Sequence, residues 1–219
     1  MSLGRLMGSF LLFMTDRDLP RISGNRTARV GFLSTQDINE LNQSLEIPDD
    51  QKVATVEDAL MMVSNSVRKV IVDAKVGPPL YETGLAEEII AAVQRTHCAN
   101  CVVWAKSDSL VRDIIKLSPS TAVGYVVMKD LSTGTRSGLL RIKRAGVVGI
   151  YHPLIEDKVV HILHRKNKKI YAWTVDDVTS MRNMLSKHVD AIITNNPTML
   201  QQLMEDTRVE CLEEGFSLP

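Results

Sequence analysis

From residue 55 onward, short apolar runs rich in β-branched residues alternate with longer segments whose apolar positions recur every three or four residues. Six runs, at 70–72, 101–105, 123–128, 147–151, 170–175 and 191–194, have the unbroken apolar character of strands buried on both faces. The segments between them predict helices. Residues 83–96 place Leu85, Ile89, Ile90 and Val93 on one stripe. Residues 107–117 do the same with Leu110, Val111, Ile114 and Leu117, and Ser107 stands as a natural N-cap. The spans 155–164 and 177–185 repeat the pattern, and Pro197 opens a last helix where its missing N–H costs nothing. Acids gather at helix starts (Glu57, Asp58, Asp108, Glu156, Asp157, Asp176, Asp177) and bases at helix ends (Arg141, Lys143, Arg144, Arg165, Lys166, Lys168, Lys169), as the helix dipole favours. Alternation of this kind predicts an α/β fold around a parallel sheet.

Composition narrows the functional classes. A chain of 219 residues, 44% hydrophobic, is long enough for one well-buried domain. Its 26 basic and 26 acidic side chains cancel, so there is no long-range pull towards nucleic acid or an anionic membrane. The basic clusters lie just before strands, on the face opposite the one where α/β folds bind ligands, which argues against a nucleic-acid partner. The apolar run at 10–14 is too short to span a membrane and lacks the flanks of a signal peptide, leaving the cytoplasm as the default compartment. Three cysteines fit a reducing environment with no disulfide framework. Cys98 and Cys101 form a C-x-x-C without the second pair a zinc site needs, and read as a loop cysteine and a buried strand opener.

The strand–helix count fits either an open doubly wound sheet or part of a barrel. An open nucleotide-binding sheet wants a glycine-rich loop after its first strand, whereas Asp73-Ala-Lys75-Val-Gly-Pro78-Pro79 offers one glycine and two prolines. In either arrangement, residues at the C-terminal ends of strands face the site. Asp73 and Lys75, two apart, share one side of the pleat there. Trp173, Lys106, His152, Thr194 and Asn195 also close their strands.

Three stretches carry a family resemblance: Val70-Ile-Val-Asp73-Ala-Lys75-Val-Gly-Pro78, Lys169-Ile-Tyr-Ala-Trp173-Thr-Val-Asp176 and Asp190-Ala-Ile-Ile-Thr194-Asn-Asn-Pro197. They resemble the glycerophosphodiester phosphodiesterases, in wording closest to the plant branch, from about Phe10 to Met204. The resemblance implies a (β/α)8 TIM barrel, incomplete here, with about six of eight βα units present. It places barrel strands 3 to 8 from about residue 70, a partial barrel domain at 1–205 and a tail at 206–219. It also implies metal-dependent hydrolysis of a small-molecule glycerophosphodiester to glycerol 3-phosphate and an alcohol. Asp73 matches a metal carboxylate, with Asp where the family has Glu, and the metal is magnesium or calcium. Lys75 matches the lysine on the phosphodiester, and Trp173 the indole that walls the glycerol pocket.

The segment 13–24 resembles the one that holds the family's second histidine, but Thr15 stands in the histidine's place. A hydroxyl cannot exchange protons near neutral pH as imidazole does. The family's His-Arg pair and Glu-x-Asp pair would fall before Met1, so no catalytic residue is intact. The alternative function is therefore an inactive relative or fragment that serves as a binding module. With two strands missing, the runs at 70–72 and 191–194 are expected to present bare edges, and the open gap is expected to favour self-association.

Overall fold

The computed structural model describes residues 2–5, 11–12, 30–44, 54–130 and 132–213. It divides into two compact units, 1–125 and 126–219.

The first unit holds strands β1 (Ser2–Arg5), β2 (Leu11–Leu12), β3 (Val70–Ala74) and β4 (Cys101–Ala105), and most of β5 (Ala122–Val127), in the order β2-β1-β3-β4-β5. Its helices are α1 (Thr35–Ser44), α2 (Val56–Val63), α3 (Leu85–Arg95) and α4 (Asp108–Leu117). Strands β3, β4 and β5 run parallel, with Val70 opposite Cys101 and Trp104 opposite Gly124. Burial alternates along β3: Val70, Val72 and Ala74 are buried, Ile71 and Asp73 half-buried. Helices α3 and α4 pack together and bury most of the predicted stripes, through Leu85, Ile89, Ile90, Leu110, Val111 and Ile114, while Leu117 at the end of α4 stays exposed. The Ser107 hydroxyl accepts the Leu110 N–H at 3.2 Å, and Thr55 caps α2 in the same way through Asp58 N–H at 3.2 Å.

The second unit holds parallel strands β6 (Val147–Tyr151), β7 (Lys169–Trp173) and β8 (Ala191–Ile192), with α5 (Asp157–His164), α6 (Val178–Ser186) and α7 (Pro197–Glu213). Strand β8 is shorter than its apolar run, although Ile193 N–H still donates to the Ala172 carbonyl at 2.8 Å. Fully buried Val148, Ile150, Leu163, Ile170, Ala172 and Met181 form the core. Lys168 is buried too, and its ammonium donates to the carbonyls of Ile142, Lys143 and Ala145 at 3.0, 3.1 and 2.6 Å. Burial pulls its pKa below the usual lysine range, while the three carbonyls hold the charged form in place.

Two expectations need correction. The edge of β3 is not bare along its whole length, because β1 runs parallel to its C-terminal end, with Ser2 opposite Asp73 and Leu3 opposite Ala74. Ser2-Leu-Gly-Arg5 carries one large apolar side chain, too little for a pattern to flag as a strand. Backbone pairing to β3 places it there. Second, Cys98 and Cys101 form a disulfide and both are buried. The chain leaves α3 through His97 at φ 50°, and that left-handed step brings the two Cα atoms to 5.5 Å. Among the described residues, no helix is long and apolar enough to cross a membrane.

Candidate functional site

In the first unit, the ends of β3 and β4 bring charged and aromatic groups to one face. Asp73 is the fourth residue of β3, and Lys75 follows the strand. The Lys75 ammonium donates to the Asp73 carboxylate, both side chains being partly open to solvent. Trp104 lies across from Asp73, and Gly124 across from Trp104, so the three share one side of the sheet. Lys106 is exposed just beyond β4. The indole of Trp104 is only 6% exposed, yet its N–H finds no acceptor among the described residues.

A divalent cation of the magnesium or calcium type needs several oxygen ligands around one point. Among the described residues, no group of three or more His, Cys, Asp or Glu side chains could hold a metal ion. Asp73 supplies one carboxylate, so the described residues do not by themselves fit a metal centre.

In the second unit the strand ends carry an aromatic pair and a hydrogen-bonded clasp. Trp173, the last residue of β7, lies opposite Tyr151 of β6, with ring centroids 5.6 Å apart. The Tyr151 ring is also 5.6 Å from His152, which opens a single helical turn after β6. Beyond Trp173, the Asp176 carboxylate accepts from the Asn195 backbone N–H at 2.7 Å, the Asn195 side-chain amide at 2.8 Å and the Thr194 hydroxyl at 3.1 Å. The Asn196 amide donates to the Asp176 carbonyl at 3.1 Å. Thr194 and Asn195 thus bind the loop after β7 to the loop after β8. Asp177 caps α6 by accepting from Ser180 N–H at 2.8 Å.

These donors hold both carboxyls below the ordinary value of 3.8. For Asp176 the Asn195 backbone N–H contributes most and its amide next, against some opposing desolvation, with Thr194 and the charge of His152 adding less. For Asp177 the leading cause is the Ser180 backbone N–H, with a smaller pull from His152. A carboxyl whose folded pKa is depressed lends stability that is present above its unfolded pKa and lost as pH falls through its folded pKa. The Asp176 clasp is therefore expected to stay closed at pH 4 and to open only at lower pH. Nitrogen–proton NMR of the Asn195 side-chain amide should titrate with a midpoint below 3.8, and a midpoint above that value would contradict the clasp.

Asp73 and Lys75 stand together at the end of β3, while Trp173, His152, Thr194 and Asn195 stand at the strand ends of the second unit. Thr15 lies outside the described residues. Two residues emerge that the sequence reading gave no role, Asp176 and Trp104. An acid followed at a distance by Thr194-Asn-Asn-Pro197 was the available signal for the first. For the second, the signal is pairing to Gly124, which only a strand register reveals.

Residues 154–211 match the family model described as Dermonecrotic toxin SPH. Over 95% of its length the chain is 54% identical to glycerophosphodiester phosphodiesterase GDPD4 of Arabidopsis thaliana, and it spans 64% of that relative, under two thirds. Among solved structures, a glycerophosphodiester phosphodiesterase from Parabacteroides distasonis superposes with TM-score 0.77 at 18% identity, covering 94% of this chain and 83% of that one. An Oleispira antarctica phosphodiesterase in complex with the product sn-glycerol-3-phosphate gives TM-score 0.71 at 15% identity, covering 93% and 83%. At these identities the likeness establishes the fold, an α/β barrel of this type, incomplete in this chain.

Proposed function

We propose, from a likeness to the glycerophosphodiester phosphodiesterases that holds in sequence and in fold, that this chain carries the phosphate-holding side of a hydrolase. The reaction is cleavage of a glycerophosphodiester: water attacks phosphorus, the bond to the departing alcohol oxygen breaks, and that oxygen takes up a proton. Glycerol 3-phosphate and a free alcohol result. The observation that carries this reading is the Asp73–Lys75 pair at the C-terminal end of β3, the end where barrel enzymes keep their chemistry. Lys75 offers a fixed ammonium to a phosphate oxygen, and Trp173 matches the family's indole that walls the glycerol. Asp73 would lend one carboxylate to a divalent metal, magnesium or calcium, whose Lewis acidity suits phosphoryl chemistry. The remaining ligands of such an ion are not among the described residues. The partial barrel domain is taken as 1–205, with 206–219 as a tail.

A second reading has its own support. Thr15 stands where the family has a proton-transferring histidine, so the isolated chain serves as a binding module without turnover. Both readings require a phosphate site at Lys75. Titration of the chain with glycerol 3-phosphate, followed by calorimetry or phosphorus NMR, should show binding no better than millimolar, since one charge-assisted contact contributes roughly 1.5–3 kcal/mol. Lys75→Met should abolish it. Binding that survives in Lys75→Met would place the ligand elsewhere and sink the assignment.

A further inference from the structure

Buried tryptophans normally find an acceptor for the indole N–H, because an unpaired donor away from water costs free energy. Trp104 breaks that rule in an informative place. Only 6% of the residue is exposed, and its Nε1 lacks an acceptor among the described residues. Its nearest titratable neighbour in the strand register is Asp73, whose carboxylate receives the Lys75 ammonium and takes no bond from the indole. On the other side the register position is Gly124, which has no side chain to supply an acceptor. Exposed Lys106 follows β4 two residues after Trp104, as Lys75 follows β3 two residues after Asp73.

We infer that the Trp104 indole is a neutral hydrogen-bond donor of the phosphate site, reserved for a non-bridging oxygen of the bound phosphoryl group. This deepens the reading under which Lys75 holds the phosphate, and rests on it. Indole N–H donates only, so its missing partner is an acceptor, and a phosphoryl oxygen provides one with charge. The chemistry of the row agrees. Two lysines at the strand ends supply diffuse positive charge, and the indole supplies a rigid, directional donor that a flexible ammonium cannot. A neutral donor also leaves the charge balance beside Asp73 unchanged, so it does not compete with the carboxylate's other interactions. An apolar residue of similar shape would fill the same space without orienting the ligand.

The test uses the whole 219-residue chain and inorganic phosphate. With the tryptophans nitrogen-labelled, the two indole N–H resonances are assigned by the loss of one in Trp104→Phe. Added phosphate should move the Trp104 resonance downfield with the same midpoint that calorimetry reports. Trp104→Phe should weaken phosphate roughly tenfold or more, the scale of one hydrogen bond to a charged group. Its melting temperature should stay close to that of the parent, since the ring still fills the core. A merely structural tryptophan would not shift with phosphate. If phosphate binds in a Lys75-dependent manner while the Trp104 indole stays still and Trp104→Phe binds equally well, the inference fails and the Lys75 reading stands. If phosphate does not bind at all, both fail together.

Discussion

Replacing Lys168 with methionine is expected to cost the fold about 3 kcal/mol or more, the largest single-residue loss of stability anticipated outside the apolar core. The side chain enters a buried position on the strand-entry side of β7, and its ammonium is the shared donor for the carbonyls of Ile142, Lys143 and Ala145. Methionine matches the apolar stem but carries no donor, so three carbonyls lose a partner at once. An unsatisfied buried polar group costs roughly 1–3 kcal/mol, and water entering the vacated space would recover part of that. For a chain of this size about 3 kcal/mol corresponds to a fall of roughly 6–12 °C in melting temperature. Lys168→Arg keeps the charge but adds a planar fork that does not fit a single ammonium-sized convergence point, and should fall between the two. Calorimetric melting of the three proteins decides it. A methionine variant within about 1 °C of the parent would mean that the carbonyls are satisfied without the lysine.

Lys168 also shows where sequence reading stops. The run Arg165-Lys166-Asn-Lys168-Lys169 reads as a basic cluster ending a helix, complementary to its dipole. Period and charge are enough to end α5 at His164 and begin β7 nearby. They cannot say that one of four bases turns inward, because that depends on the loop of residues 142–145 converging from elsewhere in the chain. The same division holds across the molecule. The six apolar runs all became strands, since continuous β-branched burial is a local property of the sequence. β1 carries one large apolar side chain, too little for a pattern to flag, and β2 lies in the apolar run at 10–14, which is too short to read as a barrel strand. The Cys98–Cys101 disulfide depends on the left-handed turn at His97, a conformation that a histidine does not advertise. At the site, the spacing of Asp73 and Lys75 was readable because a period of two puts them on one side of a strand. Asp176 clasping Asn195 joins residues 19 apart in sequence, and no spacing rule reaches that far.

The largest functional effect expected is in turnover. Assayed alone with magnesium or calcium, the 219-residue chain should hydrolyse glycerophosphocholine no faster than its Asp73→Ala variant, and at least roughly 10³-fold slower than a family member with its histidines in place. General acid–base catalysis contributes about 10²–10⁴-fold, and proton transfer is needed twice, to activate water and to release the alcohol. Thr15 cannot supply either proton near neutral pH. Among the described residues, His152 is the imidazole at a strand end, and its charge helps to hold the Asp176 and Asp177 carboxyls low. Those two carboxylates are held by Asn195 and Ser180, so the group is organised as a structural clasp rather than as an acid–base pair. Electrostatic holding of the phosphate by Lys75 survives this loss, because binding and proton transfer are separable contributions. The chain should therefore retain glycerol 3-phosphate as a weak ligand and inhibit nothing strongly. Metal-stimulated release of choline that disappears in Asp73→Ala would overturn this expectation. It would mean that groups other than the family's histidines, with His152→Ala the first variant to try, move the protons in this chain.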